Sequence, residues 1–362
     1  MELSRIVAAL PSSTPFTPPE VLERQRGRKF AVRLGANESS FGASPKAYQA
    51  IKDSLTQIQH YTDGTHHELK TALSQHLQCS EENLVVGPGI DGLLGHIARV
   101  LLNPGDKVVT SLGGYPTTEY AVIGVGGELV KVSYLQNGPD LLGLARTAGE
   151  VGAKIVYLAN PDNPSGAWQN DSELDSFIAA IPEDTAIILD EAYAEFAPSI
   201  AAASKWLHDP RIIRLRTFSK VYGMAGMRVA YAIGHPDTIG PINRIRMHFE
   251  VNILAYHAAL ASLKDQAFAR WVVEETRKGR EEYHALAREL GLTSVPSETN
   301  FVAIDVGGRD RAIELIQQLG DRGIFIRMPW AAPLNRCIRV SVGLLEERAV
   351  FASAMRELIS NC

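Results

Sequence analysis

Short runs of apolar, mostly β-branched residues alternate along this chain with stretches of helical length. Seven such runs fall in the first two thirds: NLVVG (83–87), DKVVTS (106–111), GELVKVS (127–133), AKIVYLAN (153–160), TAIILDEA (185–192), RIIRLRT (211–217) and RVAYAIG (228–234). They are nearly continuously apolar, as expected of strands covered on both faces in a mostly parallel sheet. Residues 265–290 carry apolar positions at helical spacing and stop at Gly291, which predicts one long amphipathic helix closed by a glycine, with Phe268, Trp271 and Val272 in a core. Beyond it, NFVAIDV (300–306), GIFIR (323–327) and CIRVSVG (337–343) read as strands around a helix near 309–320, hence a smaller α+β domain. The Pro- and Ser-rich start, PSSTPFTPPE, reads as an arm. The pattern thus predicts an α/β fold in three parts: an arm over 1–30, a large domain over 31–247 and a small domain over 248–362.

Length agrees with two domains, because 362 residues exceed what one core usually fills. Hydrophobic residues at 45% and charged residues at 21% are ordinary globular values. A net charge of −5 gives no reason to expect a nucleic-acid or membrane partner. Cys79, Cys337 and Cys362 show no metal or redox spacing, and their odd number argues against a disulfide framework. The start, MELSRIVAALPSSTP, has neither a cationic head nor a continuous apolar stretch, and no run approaches membrane-spanning length. A soluble, cytoplasmic protein is expected.

Ligands of doubly wound sheets sit outside the carboxyl ends of strands, and the unusual polar residues of this chain fall there. GPGIDG (87–92) follows a strand and precedes a helix, so it resembles a dinucleotide fingerprint. The next strand, however, ends in Thr110 and Ser111 rather than in the acidic residue a ribose would need. What survives is a helix start whose amides favour a phosphate, or else a plain strand-to-helix turn. ANPDNPSGAW (159–168) by itself is a good turn. Asp190 closes an otherwise apolar strand, and a buried carboxylate is costly unless it meets a cation. A protonated pyridine nitrogen would be one, with Tyr193 able to reach the same ring's phenolic oxygen; a capping or ion-paired aspartate is the alternative. In RTFSKVYGMAGMR (216–228), Lys220 sits just past a strand among small and apolar residues, where a lysine can lose its proton and condense with an aldehyde. Ser219 and Arg228 beside it suit a phosphate. A solvated surface lysine fits that company less well.

Taken in order, these motifs resemble the fold-type-I pyridoxal-phosphate enzymes, most closely the histidinol-phosphate aminotransferase family, from RLGANESSFGASP (33–45) to IRVSVG (338–343). The resemblance implies a seven-stranded, mostly parallel sheet between helices and pyridoxal 5'-phosphate as cofactor. It implies that Lys220 forms the Schiff base and shuttles the proton, and that Asp190 partners the pyridine nitrogen. Asn163 and Tyr193 then flank the phenolic oxygen, and Tyr115 stacks on the ring. The amides of Ile90 and Asp91, with Ser219 and Arg228, hold the phosphate. Tyr61 in HYTDGTHHELK would reach the neighbouring subunit's phosphate, which implies a homodimer. Asn37 lies near the substrate, and Arg339 clamps its carboxylate or the equivalent group. No metal is implied.

Two departures concern the substrate. The family's N-terminal proline-tyrosine reads Pro15-Phe16, and a segment that often carries proline-tyrosine reads His248-Phe249-Glu250-Val251-Asn252. Glu250 is then either a pocket carboxylate that repels a phosphate or a surface group. Arg327 remains to receive a substrate phosphate or a distal carboxylate. The expected activity is amino transfer from histidinol phosphate or an aromatic or related L-amino acid to a 2-oxo acid such as 2-oxoglutarate. Phe16, Phe249 and Glu250 together suggest broad acceptance of aromatic or imidazole donors, with no strong preference for histidinol phosphate. The rivals are a decarboxylase or lyase using the same cofactor and, more remotely, a dinucleotide-dependent oxidoreductase. A regulator built on this fold would carry a DNA-binding domain, and no basic helix-turn-helix segment precedes the core.

Overall fold

The computed structural model describes residues 2–11 and 16–360. The first strand, β1 (Val32–Arg33), pairs with a strand near the other end of the chain, so residues just past the arm enter the C-terminal domain first. The large sheet follows as β2 (Leu84–Gly87), β3 (Lys107–Ser111), β4 (Glu128–Val132), β5 (Ile155–Ala159), β6 (Ala186–Asp190), β7 (Ile212–Thr217) and β8 (Ala230–Gly234), each inside a run marked by the apolar pattern. Its order is β2-β8-β7-β6-β5-β3-β4. Only β8 runs antiparallel to its neighbours, so the other six strands share one direction and their carboxyl ends share one edge.

Alternation along the strands assigns the layers. Val85, Val108, Tyr157, Ile188 and Leu215 face the helices Gly89–Leu101 and Pro236–Ile245. Val109, Val156, Leu158, Ile187 and Leu189 face Leu141–Val151 and Asp171–Ala180. In the small domain, β10 (Phe301–Asp305) lies between β9 (Thr293–Ser294) and β12 (Cys337–Ser341) in an antiparallel sheet, while β11 (Ile324–Phe325) receives β1. The helices Arg309–Asp321 and Leu345–Ser360 cover these strands.

The boundary between the domains and the character of the arm differ from those expected. Helix Ile253–Leu263 (ILAYHAALASL), apolar on nearly every side, is buried against helices Pro45–Ser54 and His67–Leu77 of the large domain, so 248 does not open the small one. The two cores divide instead along helix Gln266–Glu289, whose Ala269 and Val272 join the large core and whose Tyr283 and Leu286 join the small one. The arm is not featureless: Arg5–Ala8 and Pro19–Arg26 are helical, the latter with proline at its first turn and Gly27 at its left-handed end. Of the three residues placed in a core, Val272 is buried, whereas Trp271 is half exposed with its ring edge-on to Phe41. Pro15 and Cys362 lie outside the described residues, and Cys79 and Cys337 are free thiols. No helix among the described residues is long and apolar enough to cross a membrane.

The crossing between the domains creates the site. Leu34 belongs to the small core and Ala43 to the large one, so residues 35–38 bridge the gap over the sheet's carboxyl edge. Gly35 is required there, since a Cβ would come within 2.7 Å of the Phe325 ring.

Candidate active site

A cavity of about 350 Å³ opens where the carboxyl ends of β2, β5, β6 and β7 meet that crossing segment. Of the residues expected in a site, it brings together Phe16, Asn37, Ile90, Asp91, Tyr115, Asn163, Asp190, Tyr193, Ser219, Lys220, Arg228, Arg327 and Arg339. Tyr61 and Glu250 stand apart from it.

Asp190 is the buried end of β6. Burial raises its carboxyl to about 6, against hydrogen bonds from the Tyr157 hydroxyl to Oδ2 at 2.6 Å and from the Ala192 amide to Oδ1 at 3.0 Å. Lys220 follows β7, with its Nζ donating to the Asn37 carbonyl at 3.1 Å and standing 5.4 Å from the centre of the Tyr193 ring. Asn37 adopts a left-handed φ of 54°, and its Nδ2 donates to the Tyr193 hydroxyl at 3.0 Å. Its amide and side-chain oxygen are both tied to Ser341 Oγ, so this strained residue is held from the small domain.

One end of the cavity is formed by the start of the helix Gly89–Leu101, whose cap residue, Pro88, makes no side-chain cap bond. Gly89 has a φ of 81°, and a Cβ there would collide with the Arg228 guanidinium. Asp91 accepts from Tyr115 (2.8 Å) and from Arg228 (3.0 Å), fixing an aromatic wall and a cation relative to the helix start. Ser219 is oriented by Thr217, whose Oγ1 accepts from the Ser219 amide (3.0 Å) and donates to its hydroxyl (2.9 Å).

Two arginines occupy the opposite side. Arg339 donates to Asn163 Oδ1 at 2.6 Å, and Arg327 to the Thr17 carbonyl at 2.8 Å. Both partners are neutral, and the Nε of each arginine is buried with no partner among the described residues. Burial lowers Arg339 to about 10, which leaves it charged at neutral pH. Arg327 is flanked by the rings of Phe16 and Phe325, with its Cζ 5.2 and 5.4 Å from their centres.

Glu250 matches neither expectation. It is buried, with Oε2 2.8 Å from His96 Nε2 and accepting from the Met247 amide at 3.3 Å, so it faces the helix behind the pocket. Phe249 is outside the pocket too, stacked on Tyr61 at 4.5 Å. Sequence reasoning missed Tyr157, Thr217 and Glu38, which also line the cavity. Tyr157 had a signal in the sequence: it is a lone hydroxyl in the apolar run AKIVYLAN.

The fold, the arrangement of the site and the relatives together define an aminotransferase. The model of the aminotransferase class I and II family matches residues 31–354, and the chain belongs to that family. It is 34% identical to a histidinol-phosphate aminotransferase of Moorella thermoacetica over 96% of this chain and 90% of that one. It is 35% identical to histidinol-phosphate aminotransferase 1 of Nitrosococcus oceani over 98% and 95%. The solved structure of histidinol-phosphate aminotransferase from Sinorhizobium meliloti, in complex with pyridoxal-5'-phosphate, superposes with a TM-score of 0.95 at 44% identity, covering 99% and 98% of the two chains. The chain is a pyridoxal-phosphate-dependent aminotransferase.

Proposed function

We propose that the amino donor is histidinol phosphate, that a 2-oxo acid such as 2-oxoglutarate is the acceptor, and that the enzyme works as a homodimer. The observation that carries the donor is the pair Arg327 and Arg339, a half-buried and a buried guanidinium that line the cavity and are hydrogen-bonded to neutral groups, with Glu38 the carboxylate nearest to act on Arg327. Such a pair suits a dianion, bound bidentately, better than an uncharged aromatic side chain. The three histidinol-phosphate aminotransferases named above support the same donor. Glu250 and Phe249 no longer oppose it, because both lie outside the cavity. Phe16 does line it and offers an apolar wall to an imidazole ring.

The residues present fit the cofactor. Asp190 is a fully buried carboxylate raised toward neutrality, which a protonated ring nitrogen would hold ionised. Gly89, Ile90, Ser219 and Arg228 form a cradle for its phosphate, and Tyr115 offers a ring face. When bound, pyridoxal phosphate supplies an aldehyde for the donor's amine and a ring that spreads the charge left at Cα. Lys220 Nζ is the tether and, once displaced, the base that takes the Cα proton. The Asn37 carbonyl holds that amine in the cavity, and Asn37 and Tyr193 form one hydrogen-bonded unit that would flank the cofactor. Arg339 orients the donor while Asn163 fixes its guanidinium.

The dimer is supported by exposed apolar side chains along residues 55–61 and 247–249, namely Leu55, Ile58, Tyr61, Met247 and Phe249. Tyr61 is 80% exposed and turned from its own cavity, as a residue serving a partner's site would be.

The donor is tested by comparing kcat/KM for histidinol phosphate and phenylalanine with 2-oxoglutarate as acceptor. The expected preference for histidinol phosphate is about a thousandfold, or roughly 4 kcal/mol of transition-state binding. Values within about tenfold of each other would return the reading to a broad aromatic aminotransferase.

A further inference from the structure

The carboxylate next to Asp190 takes no part in the pocket. Glu191 follows Asp190 past the end of β6 and, by strand alternation, faces the opposite side of the sheet. It is only 5% exposed. Its Oε1 accepts from Arg214 Nε at 3.0 Å and Nη2 at 2.8 Å, and its Oε2 accepts from Arg216 Nε at 2.8 Å. Burial works to raise the Glu191 carboxyl, but the two guanidiniums hold it below its ordinary range.

Arg214 and Arg216 are alternate residues of β7 and share that rear face, while Thr217 turns toward the cavity. The ladder between β6 and β7 ends at Asp190 opposite Leu215, with one further bond from the Glu191 amide to the Leu215 carbonyl at 2.8 Å. Past that point the two chains leave for Tyr193 and Lys220, and the carboxylate with its two arginines continues the tie. Arg214 extends it to the carbonyls of Ala201 (2.8 Å) and Ala202 (2.7 Å), and Arg216 also reaches Ala201 (3.2 Å).

Asp190 and Lys220 must address different atoms of one small ring, so their separation is set by how the ends of β6 and β7 sit. Misplacement by about 1 Å in such a site costs on the order of a hundredfold in rate. We propose that Glu191, clamped by Arg214 and Arg216, is a positioning residue that fixes the spacing of Asp190 and Lys220 and, through it, the protonation of the link between Lys220 and the cofactor. The proposal rests on the assignment of those two residues to the cofactor, which borohydride labelling of Lys220 in the wild type checks separately.

The test uses holoenzyme carrying Glu191→Gln or Arg216→Lys, the second of which keeps the charge and loses the guanidinium fork. The midpoint of the pH titration of the bound cofactor's absorbance is expected to move by about half a unit or more. The single-turnover rate with histidinol phosphate is expected to fall about tenfold or more, with the donor KM within about twofold. The dissociation constant for pyridoxal phosphate stays within about threefold, because Ser219 and Arg228 are untouched. Glu191→Asp, which keeps the charge, recovers part of the loss. A folded variant with wild-type midpoint and wild-type rate would overturn the proposal. Failure of both variants to fold would overturn it as well, leaving a clamp that serves stability alone.

Discussion

The Tyr157 hydroxyl donates to Asp190 Oδ2 across 2.6 Å, reaching from the neighbouring strand β5 to the end of β6. Both groups are buried, and the phenol itself is held well above its ordinary range by burial and by this carboxylate. The hydrogen bond satisfies one oxygen of Asp190 without supplying the positive charge that would keep it ionised.

Asp190→Asn therefore has two opposite effects. The first half-reaction is expected to fall by several orders of magnitude, because on the proposed pairing a neutral amide would not keep the ring nitrogen protonated. The cofactor-free protein, by contrast, gains stability. The folded pKa of Asp190, about 6, lies above its ordinary 3.8, so its ionisation costs stability progressively as pH rises from the lower value through the higher. The full cost above that range is about 3 kcal/mol. Thermal unfolding of the cofactor-free proteins should show the variant's advantage widening from pH 5 to 7 and level above it. An advantage independent of pH would remove the buried charge from the explanation.

Lys220→Ala should abolish turnover while leaving pyridoxal phosphate bound through the cradle around Ser219 and Arg228. In the proposed mechanism the same lysine is both tether and base, so no second residue replaces it. Borohydride reduction of the wild-type holoenzyme followed by peptide mapping should label Lys220. A label on any other lysine contradicts the assignment.

Arg339→Ala should weaken kcat/KM for histidinol phosphate by roughly 2–5 kcal/mol, the usual loss when one member of a buried charge pair is removed. Arg327→Ala should act in the same direction but with a selective signature: the loss for histidinol phosphate exceeds the loss for phenylalanine. Equal losses for both donors would show that Arg327 supports Phe16 and Phe325 by packing and does not read the phosphate.

Tyr61 gives a test of subunit sharing. Tyr61→Ala and Lys220→Ala are each expected to be impaired as homodimers. Mixed and reassociated, they should recover activity, because one site then holds Lys220 from one chain and Tyr61 from its partner. No recovery in verified heterodimers would place Tyr61 in its own subunit's chemistry or outside the chemistry altogether.

Much of this arrangement was legible in the sequence because the sheet is buried on both faces. Runs such as LVV (84–86) and AIIL (186–189) are continuous and apolar, so a polar residue at the end of one, such as Asp190, stands out against it, whereas Lys220 follows a strand broken by Arg214 and Arg216 and was marked by the small and apolar residues around it. The substrate side was less legible. Glu250 differs from a pocket carboxylate only in where a turn directs it, and His96, its partner, lies 154 residues away. The misplaced domain boundary has a similar cause. Helix Ile253–Leu263 carries no polar face, so its sequence does not say which core covers it.

The most direct measurement mixes holoenzyme with L-histidinol phosphate in the absence of any acceptor, following cofactor absorbance and product in one turnover. The account predicts complete conversion of the cofactor from its aldehyde to its amine form, with one keto product per site and full reversal on adding 2-oxoglutarate. An unchanged spectrum, or release of inorganic phosphate or ammonia with the aldehyde form retained, would contradict it.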